Sequence, residues 1–154
     1  MQAVAKTGCR LLAIIALCVC SSLTAAPSMD GAKLTPKELE AKTYGALKKH
    51  GATVEHKLMK KGALFIVRGP KAKIPEIRKT WLEYWKSYEA LSKEGMDPLN
   101  SELRSAMAEQ KIERDDVEIE DGLVTVMSSP HLMTITKLHR LVTERQHKYE
   151  GKAQ

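Results

Sequence analysis

The second half of this chain repeats the layout of the first. Thr35-Pro36-Lys37-Glu38 opens one helical pattern and Asp97-Pro98-Leu99-Asn100 opens another. Each is followed by two short strand patterns around a glycine turn, Lys61-Gly62 and Asp121-Gly122. A proline-marked entry, Gly69-Pro70 or Ser129-Pro130, then leads into a longer helix. Such an ordered duplication constrains architecture strongly and chemistry hardly at all. A unit of about 60 residues folds only marginally alone, so two of them are expected to share a sheet. The expected fold is α+β: tandem αββα repeats forming one four-stranded antiparallel sheet, with helices packed mainly on one face and a pseudo-two-fold axis between the halves. Repeat one covers about 35–95 and repeat two about 96–151, within a single domain 35–151. A winged-helix layout of the last four elements is the competitor, and the matching first half argues against it.

The residues before the repeats read as an export signal, 1–26. Lys6 and Arg10 give a basic start, Leu11 to Val19 an apolar run, and Ser21 to Ala26 the small residues a signal peptidase needs. The apolar run is about nine residues where a membrane span needs about 20, so no stable anchor is expected after cleavage. Residues 27–34 form a flexible lead-in. Cys9, Cys18 and Cys20 all lie in the leader. The processed chain would carry no thiol, which excludes intramolecular disulfides, thiolate metal ligation and a cysteine nucleophile.

Local signals support the repeat. Thr35 and Glu38 form a capping-box pattern with Pro36 at the first helical position. Leu39, Thr43, Ala46, Leu47 and His50 then share a face, and Gly51 ends the helix. Val54, His56 and Leu58 share one strand face. The return strand, Leu64 to Val67, is apolar on both faces, which predicts an interior strand. Ile74, Ile77, Trp81, Tyr84, Trp85, Tyr88 and Leu91 form a helical stripe that Gly95 should stop. In the second unit Leu99, Leu103, Ala106, Met107 and Gln110 share a side. Val117 and Ile119 alternate with Glu118 and Glu120, which are expected to face solvent. Ser129 should cap a last helix with Pro130 at its first position and an inward stripe of Leu132, Ile135, Leu138 and Val142, closed by Gly151.

Charge is unevenly spread. Lys33 to Lys79 hold 13 basic residues against four acidic ones, a balance of +9. Ser101 to Asp121 hold eight acidic residues against three basic ones, a balance of −5. One half could steer an anionic partner, or the two halves could attract each other between molecules. Export and the lack of an aromatic-studded basic strand argue against nucleic acid.

From Ala46 to Gly151 the chain resembles a family of small exported bacterial proteins without assigned activity. The resemblance rests on Leu47 to His50, Gly62, Ile77, Glu94-Gly95 with Asp97-Pro98-Leu99, Lys111-Ile112-Glu113, Gly122 to Val126, Pro130 and Leu138-His139. It implies the helix-hairpin-helix repeat and no function. Members are rich in histidine near the helix ends of each repeat. Here His50 and His139 stand at such places, while Thr80 and Ala108 occupy the other two.

Copper or haem is the sharpest chemical alternative, through His50 and His139, because imidazole with nearby thioethers suits both. No close-spaced ligand pair supports it, so no cofactor is expected. Trp81, Tyr84, Trp85 and Tyr88 are candidates for a partner or pocket surface, with core packing the plainer explanation. Lys57, Lys60, Lys61, Arg68, Lys71 and Lys73 form a candidate basic patch. Catalysis lacks a signature: Ser128-Ser129 beside His131 reads as a helix cap, and no nucleophile elbow is present. The acidic run Asp115 to Asp121 lacks a calcium-loop pattern. Gly69-Pro70-Lys71 lacks the rest of a phosphate loop. The chain is therefore expected to be a non-enzymatic binding or accessory protein, periplasmic or secreted, whose partner is an envelope protein or an anionic envelope component.

Overall fold

The computed structural model describes residues 34–150. The export signal, most of the lead-in and Gly151 lie outside the described residues. Helix α1, Pro36–Lys49, starts in the expected capping box: Thr35 Oγ1 accepts from Glu38 N–H, and the Glu38 carboxylate accepts from Thr35 N–H at 2.8 Å. Gly51, at φ +71°, lets the chain leave the helix and enter the hairpin β1, Thr53–Met59, and β2, Gly62–Arg68. A short 3-10 turn, Lys71–Lys73, precedes α2, Ile74–Ala90. The second set is α3, Pro98–Ala108, capped by the Asp97 side chain accepting from Asn100 N–H at 3.1 Å, then β3, Glu113–Ile119, β4, Gly122–Ser128, and α4, Leu132–Arg145. One π turn, Gln146–Glu150, closes the described chain.

The described residues form an α+β structure, with one four-stranded antiparallel sheet in the order β1-β2-β4-β3 and four α-helices. The second hairpin thus joins the first and does not form a wing. β2 and β4 lie at the centre because both carry apolar residues on both faces. Glycine is required where each hairpin turn meets the other hairpin's central strand. A Cβ on Gly62 would sit 1.8 Å from the Met127 carbonyl oxygen, and one on Gly122 would sit 1.8 Å from that of Val67. Two backbone bonds close the same seam, Gly69 N–H to Asp121 O and Ser129 N–H to Lys61 O, both 2.9 Å.

Every helix contributes to one apolar cluster: Leu39 and Leu47 from α1, the aromatic stripe from α2, Leu99 and Leu103 from α3, and Leu138, Leu141 and Val142 from α4. They meet Ala63, Phe65, Val67, Leu123 and Met127, which alternation places on a single face of the sheet.

Four local expectations need correction. α2 ends at Ala90, before Gly95, because Leu91 turns extended (ψ 141°) while its side chain stays against the core. α4 starts at Leu132 rather than Pro130. Ser129 Oγ accepts from His131 N–H at 3.1 Å and donates to Lys111 O, tying down the approach instead of capping. The later start turns the inward stripe to Thr134, Leu138, Leu141, Val142 and Arg145, leaving Leu132 75% exposed. Finally, Glu118 is exposed as expected, its side chain 66% accessible, but it pairs with Leu123 and so stands on the helix-bearing side of the sheet, where Arg78 Nη1 donates to it at 2.5 Å. Val117 and Ile119 take the opposite face. Glu120 lies in the exposed turn.

Candidate functional site

The face of the sheet away from the core is built by the other alternation of the same strands. Residues paired directly across an antiparallel ladder share a face, so the register writes this surface as four rows across β1, β2, β4 and β3. They are Thr53, Arg68, Gly122, Ile119; then Glu55, Ile66, Val124, Val117; then Lys57, Leu64, Val126, Asp115; then Met59, Gly62, Ser128, Glu113. The centre is aliphatic. Leu64, Val124 and Val126 are half-buried and Ile66 is buried by its neighbours, while Val117 at the margin is 51% exposed. None of these residues belongs to the core cluster.

Charge sits only at the margins. On the β1 side Lys57 Nζ lies 3.1 Å from Glu55, and Arg68 bridges Glu55 at 3.7 Å and Asp121 at 3.4 Å. On the β3 side Glu113 and Asp115 are exposed carboxylates. Such surface pairs stabilise by under about 1 kcal/mol each and leave their charges available to a partner. An aliphatic strip with the Glu55–Lys57–Arg68 cluster at one margin and two carboxylates at the other can bind a partner by burial in the middle and orient it by charge at the rim.

The covered face holds a different kind of polar group. Arg145 is 2% exposed, with its guanidinium 5.7 Å from the Phe65 ring, 5.5 Å from the Tyr84 ring and 5.6 Å from the Trp85 ring. Its Nε donates to Glu40 at 3.1 Å and its Nη2 to the Tyr84 hydroxyl. Burial pushes the Glu40 carboxyl up, but Arg145, Lys148 and Tyr149 more than offset this and hold it below its ordinary range. Burial also pushes the Tyr84 phenol up to about 12. Arg145 Nη1 is buried and has no hydrogen-bond partner among the described residues. Beside it a cavity of about 340 Å³ runs between Glu40, Asn100, Arg140 and Lys148. This arrangement welds α1, α2 and α4 to one another. The guanidinium lies among rings and pairs with Glu40, so the ion pair joins helices across the core.

The residues singled out from sequence are distributed as follows. Trp81, Tyr84, Trp85 and Tyr88 are each at most 1% exposed, so they are core and not a partner surface. Trp81 Nε1 donates to Thr125 at 2.9 Å and Tyr88 to Asn100 at 2.8 Å, which satisfies their polar tips. His50 ends α1 just before β1, whereas His139 Nε2 donates to the Met59 carbonyl at the far end of that strand. The length of β1 holds them about 20 Å apart at 3.3 Å per residue, so they are not brought together. Among the described residues no group of three or more His, Cys, Asp or Glu is placed to hold a metal ion. The basic patch divides: Lys60 and Lys61 lie at the β1–β2 turn, Lys71 and Lys73 at the opposite end of the hairpin, and Lys57 and Arg68 on the open face.

Sequence reasoning missed the open face and Arg145. The first had a signal in the two-sided apolar pattern of β2. The second had one in its position, seven residues after Leu138 on the same helical face. No family model, curated protein or solved structure matches this chain. No described helix is long and apolar enough to cross a membrane.

Proposed function

We propose that this chain is an exported, non-enzymatic binding or accessory protein of the cell envelope, periplasmic or secreted, acting through the open face of its sheet. The observation that carries this reading is the half-buried aliphatic centre of that face, on which no described helix packs while the helices cover the other side. Bare aliphatic strips with charged rims are what interaction surfaces consist of. Its partner is an envelope protein or an anionic envelope component meeting the Lys57–Arg68 margin. Export is supported by the leader composition of residues 1–26.

The tandem αββα reading belongs to the same proposal. Gly62 and Gly122, Gly69 and Ser129, and Lys61 and Asp121 each stand sixty positions apart and play matching parts in the two seams. That correspondence is what a pseudo-two-fold axis between β2 and β4, at Phe65 and Thr125, would produce.

A photo-crosslinking residue introduced at Val124 or Val126 tests the binding role in living cells. The expected result is a discrete adduct from these positions and none from Lys86 on the exposed side of α2. Equal labelling from all three would contradict it. Terminal sequencing of the exported material should begin near Pro27; a retained leader would contradict export.

A further inference from the structure

Resting on that reading of the open face, we infer that one partner is a second copy of this chain, packed sheet on sheet about a two-fold axis parallel to the strands. Such an axis lays β1 of one molecule over β3 of the other and β2 over β4, keeping every row in place. The row Lys57, Leu64, Val126, Asp115 then meets itself reversed. Lys57 falls on the other copy's carboxylate at position 115, and Leu64 falls on the aliphatic Val126. The row below adds Glu113 opposite Met59, with Lys60 of the adjoining turn within reach. Arg68 falls over Gly122, where no side chain competes for the space.

The alternative axis, across the strands, reverses the rows. It would set Lys57 over the other copy's Glu55, but it would press Asp115 onto Val117 and Glu113 onto Ile119, where the open face of β3 carries no cation. The strand-parallel axis also sets a carboxylate, Glu55, over Val117, but Glu55 keeps Lys57 at 3.1 Å and Arg68 at 3.7 Å in its own molecule. The strand-parallel arrangement is favoured because it gives Asp115 a cation and covers no carboxylate that lacks one. Aligned sheets packed in this way cross at about −30° and about 10 Å apart, which long rim side chains such as Lys57 can span.

The area sets the strength. Four strands about 4.8 Å apart and seven residues long give a patch of roughly 19 by 23 Å. Counted on both molecules this is about 900 Å², at the low end of specific interfaces. The association should be transient and reversed by dilution.

The test is sedimentation equilibrium of the protein as purified from the cell that exports it, over a concentration series. The wild type should pass from monomer to dimer. Lys57→Asp and Asp115→Lys should each weaken self-association by about tenfold, since each turns two attractive rim pairs into repulsive ones. Mixed in equal amounts, these two variants should form a heterodimer about as tight as the wild-type dimer, and the double change Lys57→Asp/Asp115→Lys should restore self-association. A wild type that is monomeric at every concentration would overturn the inference, as would a dimer indifferent to both single changes. Crosslinking from Val126 separates this from the wider reading. A monomer that still yields a heteromeric Val126 adduct refutes only self-association, whereas a monomer without any adduct refutes both.

Discussion

The two faces of this sheet are made by alternate residues of the same four strands, and they handle polarity in opposite ways. On the covered face polar groups are few, and most of them are held by a named partner. Thr125, at the centre, accepts from Trp81 and donates to Asp116 at 2.5 Å, while Arg145 lies among rings and is held by Glu40. On the open face the charges stand at the edges in solvent, and the centre carries only aliphatic side chains. The difference teaches where each face gets its specificity. The covered face is specified by burying groups that would be costly if left unpaired. The open face is specified by the order of signs across it, which matters only when something arrives.

Substitutions should separate the faces by size of effect. The largest loss is expected from Trp85→Ala, which empties the middle of the ring cluster and should lower the unfolding free energy by about 3 to 5 kcal/mol in urea titrations. Glu40→Ala comes next. It leaves the Arg145 charge buried without its carboxylate and should cost about 3 kcal/mol, whereas Glu40→Leu combined with Arg145→Met should cost markedly less. A double-mutant cycle read by the same titration would show this as strong coupling. Gly62→Ala and Gly122→Ala should each cost about 1 to 3 kcal/mol, because the added carbon meets a backbone carbonyl that cannot move aside.

The Glu40 pair also carries a pH dependence with a definite sign. Its carboxyl is held below its ordinary value in the folded state. Its stabilisation is therefore fully present above the unfolded carboxylate pKa of about 4.3 and is lost as pH falls through the folded value. Thermal melts between pH 7 and 3 should show this acid-side slope in the wild type and a shallower one in Glu40→Gln. The smallest effect belongs to the open face. Val117→Thr should change stability by under about 0.5 kcal/mol, so a large loss there would mean the two faces do not differ as described.

Much of the fold was legible along the chain because the signals were local. The Thr35–Glu38 box, the Asp97 cap and the helical stripe of α2 depend on near neighbours, and all formed where expected. The central placement of β2 was legible too, from apolar residues at every position from Leu64 to Val67. What escaped depended on long-range packing. Arg145 escaped because Glu40, the carboxylate that holds it, stands 105 positions away in the chain. Leu132 looked inward-facing because apolarity alone cannot say where a helix begins. Glu118 stays exposed as expected but on the helix-bearing side, with Val117 on the open face, because β3 is an edge strand whose helix side is met by Arg78 rather than by an apolar surface. The candidate site escaped for a related reason. Aliphatic residues on both faces mark a central strand, but they do not reveal that only one face will be roofed.

The most direct test of the account is methyl NMR with a soluble paramagnetic probe, recorded at low and high protein concentration. Methyl signals of Leu64, Val124 and Val126 should be broadened by the probe in dilute solution and become protected as concentration rises, while those of Val67, Leu123 and Leu138 stay protected throughout. Broadening of the first set that persists at every concentration would contradict self-association, and protection of that set even at the lowest would show that the face was never open.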